Sequence, residues 1–160
     1  MEGEKPLRAR FNILLAEDNP ADITLVRRAL KSHGVDCELH VIQDGAEAIQ
    51  WITNLDQAPN APVLDMMLLD MHLPKHDGPE ILRCLRSTEN YAQTPVIVMT
   101  SQDSKAVAGQ ASRNAAMCYF RKPSSLDEFM ELGAIVKTLL SSNTDCTEAR
   151  DREKRSGARP

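Results

Sequence analysis

The chain has 160 residues, of which 42% are hydrophobic and 26% charged, and its formal net charge is −4. This length and composition fit one globular domain of ordinary size. The negative charge argues against non-specific binding to nucleic acid, and no hydrophobic run approaches the roughly 20 residues that span a bilayer. Because the N-terminus also lacks the hydrophobic stretch of a signal peptide, we expect a cytoplasmic protein that binds neither membrane nor nucleic acid.

The cysteines show no spacing typical of a metal site or of a redox motif. They are Cys37, Cys84, Cys118 and Cys146, and no two of them form a CxxC pair. We therefore expect reduced thiols in a reducing compartment.

Five short hydrophobic runs predict the strands of a parallel sheet. Three of them are nearly unbroken and are bounded by polar residues or proline, which is typical of central strands covered on both faces. Two weaker runs complete the set. In chain order, the predicted strands are residues 13–16, 39–42, 66–69, 96–99 and 117–120.

Helical patterns separate these runs, and four of them begin at a residue that suits a helix cap. Asn19 followed by Pro20 opens the first predicted helix, as N-cap and first helical residue. Asp44, Asp77 and Ser125 each precede a glutamate by three positions, which resembles a capping box. These residues predict where four helices begin.

The remaining helical segment, residues 103–114, should be weakly anchored. Val107 is its only large hydrophobic residue and Gly109 lies in its middle, so burial and helix propensity both contribute little. With this segment included, strand and helix alternate five times. Right-handed crossovers then put helices on both faces of a parallel sheet, which predicts an α/β fold.

Polar side chains follow four of the five predicted strands. In an open parallel sheet, ligands bind beyond the carboxyl ends of the strands, and those ends share one edge. We therefore expect these side chains to converge. In chain order they are Glu17 and Asp18, Asp70, Thr100 and Ser101, and Lys122 with Pro123.

The converging groups predict a particular chemistry. Three carboxylates gathered at one place repel one another, and a hard cation such as Mg²⁺ would offset that repulsion. Lys122 adds a positive charge and Thr100 a hydroxyl donor. A carboxylate nucleophile, a metal, a cation and a hydroxyl together suit phosphoryl transfer.

Four segments of the chain resemble the receiver domain of two-component response regulators: ILLAEDNPAD, MMLLDMHLPKHDG, TPVIVMTS and CYFRKP. The resemblance spans residues 12 to 140 and includes the family's spacing between Asp70, Thr100 and Lys122. It implies a flavodoxin-like sheet of five parallel strands in the order 2-1-3-4-5. The wording of the first two segments is similar to that of small response regulators that partner phytochrome-type histidine kinases.

The resemblance implies a phosphoacceptor and a metal site. Asp70 would accept the phosphoryl group. Asp18, Asp70 and the backbone carbonyl of His72 would bind Mg²⁺, and Glu17 would act on the metal through water. A histidine at position 72 is less usual in this family, and its imidazole would face the opening to the phosphoaspartate.

The resemblance also implies which residues respond to the phosphoryl group. Thr100, Ser101 and Lys122 would bind it. Tyr119 would be the aromatic switch that turns inward on activation, although an aromatic residue of an edge strand would give the same pattern. Pro123 would follow a cis peptide bond.

We therefore expect residues 11–141 to form a receiver domain, between a flexible segment at residues 1–10 and a disordered polar tail at residues 142–160. The expected function is that of a single-domain response regulator. It would take a phosphoryl group from a histidine kinase, catalyse only its own phosphorylation and dephosphorylation, and signal through protein contacts. A homodimer through the fourth helix, the fifth strand and the last helix is one such contact.

Other functions remain open from the sequence. A phosphatase or phosphotransferase with an aspartate nucleophile typically has a DxD signature, whereas this chain has His72 at the second position. A phosphate-relay intermediate would have the same site as a response regulator. A flavodoxin-like cofactor binder needs a phosphate loop after the first strand, where Glu17 and Asp18 would repel phosphate. A pseudo-receiver that only binds partners would not need an intact acidic site.

Overall fold

The structure is a computed structural model, and it describes residues 10–101 and 118–141. Within them, a five-stranded sheet is flanked by helices. The strands are β1 (Phe11–Ala16), β2 (Cys37–Ile42), β3 (Met66–Asp70), β4 (Val96–Thr100) and β5 (Cys118–Arg121). The helices are α1 (Pro20–Ser32), α2 (Gly45–Gln57), α3 (Gly78–Arg86) and α4 (Leu126–Ser141). No described helix is long and hydrophobic enough to cross a membrane.

The sheet is parallel throughout, and its strand order is β2-β1-β3-β4-β5. This confirms the predicted fold class and strand order. The register pairs Ile13 with Met66 and Leu68 with Ile97, so β3 lies at the centre. Every residue of β3 and β4 is buried, which explains why these strands are unbroken hydrophobic runs.

The alternating side chains of the central strands build two hydrophobic cores, one on each face of the sheet. Ile13, Leu15 and Leu68 point to the face that α1 and α4 cover, where Phe129 is buried among them. Leu14, Met67 and Leu69 point to the face that α2 and α3 cover. Within residues 10–101 and 118–141, the sheet is therefore enclosed between helices, and its edges and strand ends are left for other groups.

The predicted helix caps are confirmed. The Asn19 side chain accepts hydrogen bonds from the N–H groups of Ala21 and the residue after it. Asp44, Asp77 and Ser125 each accept one from the N–H of the glutamate three positions later, at 2.8, 3.2 and 3.1 Å. Each cap satisfies an N–H that the first turn of a helix leaves without an intrahelical partner.

Several predictions concern residues outside the described ranges. The weakly anchored helix at residues 103–114, the flexible segment predicted at residues 1–10, of which residues 1–9 lie outside, and the tail at residues 142–160 all stay predictions. Within the described part, Cys37 and Cys84 carry free thiols, whereas Cys118 is disulfide-bonded. The prediction of reduced thiols is therefore wrong at Cys118, because spacing along the chain does not reveal which thiols the fold brings together.

Gly133 allows α4 to pack closely against α1. A methyl group at this position would overlap the backbone carbonyl oxygen of Ala29, and the ring of His33 lies beside it. We predict that Gly133→Ala lowers the free energy of unfolding by about 1–3 kcal/mol, the usual cost of overpacking. Urea denaturation followed by circular dichroism measures this effect.

Lys137→Ala is the matched control for Gly133→Ala, because Lys137 is an exposed residue of the same helix. Its unfolding free energy should stay within about 0.5 kcal/mol of the wild-type value. An unchanged stability in Gly133→Ala would contradict the close approach of the two helices.

Candidate functional site

Three strands carry charged side chains to one edge of the sheet, and backbone hydrogen bonds fix their ends. Asp70 is the last residue of β3. The N–H of Glu17 donates to the carbonyl of Ile42 at 2.9 Å, which continues the β1–β2 pairing beyond β1. The N–H of Lys122 donates to the carbonyl of Thr100 at 2.7 Å, which does the same for β4 and β5. The parallel register therefore brings the predicted residues together.

The ammonium group of Lys122 lies among three carboxylates. Its Nζ is 2.7 Å from Oε2 of Glu17, 2.8 Å from Oδ2 of Asp22 and 3.4 Å from Oδ2 of Asp70. The Lys122 side chain is 11% exposed and that of Glu17 is fully buried. Ion pairs of this kind are screened much less than pairs at the surface.

Burial sets the protonation of this cluster. It raises the pKa of Glu17 to about 7, against the opposing effect of the Lys122 hydrogen bond. Burial alone would lower the pKa of Lys122, but its hydrogen bonds to Asp22 and Glu17 and the charge of Asp70 outweigh burial and raise that pKa. Lys122 is therefore charged at neutral pH, whereas the pKa of Glu17 itself lies near neutral pH.

A group of three carboxylates forms one side of the site. The side chains of Glu17, Asp18 and Asp70 each offer an oxygen, and these oxygens lie within 4.8 Å of one another. Asp18 is exposed, whereas Glu17 and Asp70 are buried. An all-oxygen donor set with this much negative charge suits a hard divalent cation, so the residues fit the metal that the sequence predicts.

Asp70 is held in a fixed orientation. The N–H of His72 donates to its Oδ1 at 3.0 Å, and Lys122 contacts its Oδ2. Asp70 is 6% exposed, whereas the His72 side chain is exposed. One carboxylate therefore has a backbone donor on one oxygen and a cation near the other.

The remaining predicted residues lie around this centre. Thr100 is fully buried at the end of β4, and Ser101 after it is exposed. Tyr119 is partly buried on β5, where its ring packs against the core beneath α2 and α3. The sequence therefore identified the residues at the strand ends, but it missed Asp22.

Asp22 lies in the first turn of α1, two residues after Pro20. An acidic residue there is common in any helix because it interacts favourably with the helix dipole. Because that general preference already explains an aspartate at this position, the sequence pattern gave little reason to expect its contact with Lys122, which lies 100 positions later. The position of Asp22 beside the acidic pair was the only sign that the sequence offered.

The peptide bond before Pro123 corrects one expectation. No peptide bond within residues 10–101 and 118–141 is cis, so the prediction of a cis bond at Pro123 is wrong. The trans form of such a bond is intrinsically favoured by about 0.5–1 kcal/mol. Lys122 reaches Thr100 and the carboxylates with the trans bond in place.

Comparison with known proteins agrees with this geometry. The model of the response regulator receiver domain family matches residues 13–133. The chain belongs to this family. It is 31% identical over 120 residues to the response regulator Rcp1 of Synechocystis sp., and the match covers 75% of this chain and 82% of Rcp1. It is therefore a receiver domain of a two-component response regulator.

Solved receiver structures share the fold. The phosphorylated cyanobacterial phytochrome response regulator RcpA has a TM-score of 0.74 at 29% identity, over 85% of this chain and 97% of RcpA. The Mn²⁺-bound form of Rcp1 gives 0.73 at 29% identity, over 84% and 98%. The receiver domain of the sensor histidine kinase PA1611 from Pseudomonas aeruginosa, with magnesium in its active-site cleft, gives 0.65 at 27% identity, over 84% and 100%. Two of these three related structures therefore hold a divalent metal ion.

The raised pKa of Glu17 predicts how stability depends on pH without metal. The folded chain keeps the proton on the Glu17 carboxyl up to about pH 7, whereas a free glutamate loses it near pH 4.5. The contribution of this protonated carboxyl to stability is therefore present at low pH and is lost as pH rises between these values. In EDTA, the free energy of unfolding of Glu17→Gln minus that of the wild type should therefore be larger at pH 8 than at pH 5. Urea titrations at both pH values measure the difference.

A gap between Glu17→Gln and wild type that stays constant from pH 5 to pH 8 would contradict the assignment. Glu38→Gln is the control, because Glu38 lies exposed on β2. Its difference from the wild type should not change with pH over this range.

Proposed function

We propose that Asp70 accepts a phosphoryl group from the phosphohistidine of a sensor kinase. One observation carries the proposal: the Asp70 carboxylate ends the central strand, with the His72 N–H on Oδ1 and the Lys122 ammonium 3.4 Å from Oδ2. Burial of the side chain restricts it to one orientation. A carboxylate that is held in place beside a cation suits nucleophilic attack on an anionic phosphoryl group.

In the transfer, a carboxylate oxygen of Asp70 attacks phosphorus. An O–P bond forms as the N–P bond of the donor breaks, and the electron pair of that bond goes to the imidazole nitrogen, which takes up a proton. The charge on the remaining phosphoryl oxygens needs donors. Lys122 supplies an ammonium group and Thr100 a hydroxyl, with Ser101 beside it at the end of β4.

We infer that the metal of this site is Mg²⁺. Asp18, Asp70 and the backbone carbonyl of His72 would hold it, and Glu17 would act through water. When bound, a divalent cation supplies positive charge against the phosphoryl oxygens and the carboxylates. The clustered carboxylate oxygens support this assignment, as do the manganese and magnesium ions of the related structures.

We also propose the partners of the domain. The likeness to the phytochrome response regulator RcpA supports a phytochrome-type histidine kinase as the donor, in the cytoplasm. The domain would catalyse only its own phosphorylation and dephosphorylation. It would pass the signal on through residues 103–114, β5 and α4, as a homodimer or to a protein partner, with Tyr119 as the switch residue.

Asp70→Asn should abolish phosphorylation and preserve the fold, because the two side chains have nearly the same shape. Incubation with acetyl phosphate and Mg²⁺, followed by mass spectrometry of the intact chain, should show one phosphoryl group on the wild type and none on the variant. Asp36→Asn is the control, since Asp36 pairs with Arg10 at the surface. It should be phosphorylated like the wild type, and a phosphorylated Asp70→Asn would overturn the assignment.

The same preparation separates the alternative functions. Sustained release of phosphate from p-nitrophenyl phosphate would favour a phosphatase. Transfer from the phosphorylated chain to a histidine phosphotransfer protein would favour a relay intermediate.

Asp18→Asn should weaken the metal site without breaking a described ion pair. It removes one charge from the three crowded carboxylates, so the thermal midpoint in EDTA should rise by about 2–4 °C. Saturating Mg²⁺ should raise the midpoint of the wild type and have little effect on the variant. Differential scanning fluorimetry measures both, and an equal response to Mg²⁺ in the two proteins would contradict the role of Asp18.

A further inference from the structure

Asp22 contacts Lys122 but has no role of its own in the phosphoryl transfer proposed for Asp70. Its carboxylate nevertheless approaches Lys122 to 2.8 Å, whereas Asp70 lies at 3.4 Å from the same nitrogen. An ammonium group has three N–H donors, and three carboxylates surround this one. The hydrogen-bonding capacity of Lys122 is therefore already in use.

The first turn of α1 holds Asp22 in this position. The Asn19 side chain caps the helix and accepts a hydrogen bond from the N–H of Asp22 at 3.3 Å. Pro20 is the first residue of the helix, and its fixed φ angle restricts the backbone there. Asp22 thus projects from an ordered turn and not from a free loop.

The two carboxylates closest to Lys122 differ in how easily each can lose its bond to the ammonium group. Glu17 is fully buried and also accepts the N–H of Asn19 at 3.1 Å. Asp22 is 21% exposed, and the three clustered carboxylates of Glu17, Asp18 and Asp70 do not include it. If Lys122 moves away, water can take its place at Asp22. The buried Glu17 carboxylate would instead be left without a counter-charge inside the protein.

A phosphoryl group on Asp70 would compete for the same ammonium. Lys122 can donate to a phosphoryl oxygen only if it lengthens or breaks one of its present bonds. Of its two short bonds, the one to Asp22 costs less to break than the one to Glu17, because solvent reaches the Asp22 carboxylate.

We propose that Asp22 is a positioning residue that holds Lys122 back from the incoming phosphoryl group, so that the bond between Asp22 and Lys122 must lengthen or break during the transfer. The inference rests on the proposed function of Asp70. Asp22 lies outside the cluster of Glu17, Asp18 and Asp70, and it acts through Lys122. It sets how readily the domain is phosphorylated.

The first test is the rate of phosphorylation by acetyl phosphate with Mg²⁺. Asp22→Asn keeps nearly the same shape but removes the charge, which weakens the bond to Lys122. Its ammonium group can then donate more readily to the incoming phosphoryl group. We expect a rate roughly three to ten times that of the wild type, in the lower part of the range of coupling between contacting groups. Asp36→Asn removes an equal charge at the surface and should leave the rate unchanged. A rate in Asp22→Asn at or below the wild-type value overturns the proposal.

The second test asks whether the effect passes through Lys122. Lys122→Met removes the ammonium, and in that background Asp22→Asn should no longer change the rate. The double-mutant cycle isolates the interaction of the two residues. If the acceleration persists without Lys122, the lost charge acts directly on the donor and the proposal is wrong.

The third test needs neither donor nor metal. The ¹⁵Nζ signal of Lys122, assigned by its absence in Lys122→Met, reports the exchange of the ammonium protons with water. Exchange should be faster in Asp22→Asn than in the wild type, and an unchanged signal contradicts the inference. If the wild type is never phosphorylated, the proposed function fails, whereas this measurement still decides whether Asp22 holds Lys122.

Discussion

The site depends on one buried ammonium group that is shared among three carboxylates. Lys122 follows β5, Glu17 follows β1, Asp22 lies in the first turn of α1, and Asp70 ends β3. Taking these charges out of water costs free energy, and the cost is recovered only if the partners lie within hydrogen-bonding distance. Removing one partner would leave an uncompensated buried charge, at a cost of about 3–5 kcal/mol. The ends of three strands must therefore stay in register.

The parallel sheet meets this requirement because its own register is rigid. Its central strands are buried on both faces, and a slip of one residue would exchange the two cores. The backbone hydrogen bonds of Glu17 and Lys122 carry the strand pairing past the ends of β1 and β5. The hydrophobic packing of the strands thus determines where the charged side chains lie. A phosphoryl group that moved Lys122 would therefore act directly on the end of the sheet.

Most of the fold could be predicted from local patterns. Unbroken hydrophobic runs identify β3 and β4, since burial on both faces removes alternation. The caps Asn19, Asp44 and Asp77 identify where three helices begin, because their side chains accept hydrogen bonds from the N–H groups of the first turn. Glu17 and Asp70 could be assigned to one edge, because parallel strands share the direction of their carboxyl ends.

The features that the sequence did not predict depend on contacts between distant parts of the chain. Asp22 reaches Lys122 across 100 residues, and a helical first turn gives no sign of which strand end it faces. The trans bond before Pro123 reflects the intrinsic preference of the peptide bond, while the resemblance implied the opposite isomer. The disulfide at Cys118 likewise depends on tertiary proximity and not on spacing. Local physics thus predicts elements, while the charge network needs the assembled fold.

The central claim is that Asp70 is the residue that carries the phosphoryl group. Borohydride reduction of the phosphorylated chain tests it most directly, since it converts an aspartyl phosphate into homoserine at the modified position. Peptide mapping by mass spectrometry should find homoserine at position 70, the last residue of β3, and at no other aspartate. Homoserine at Asp18 or Asp22, or a phosphorylated chain that yields none, would contradict the account.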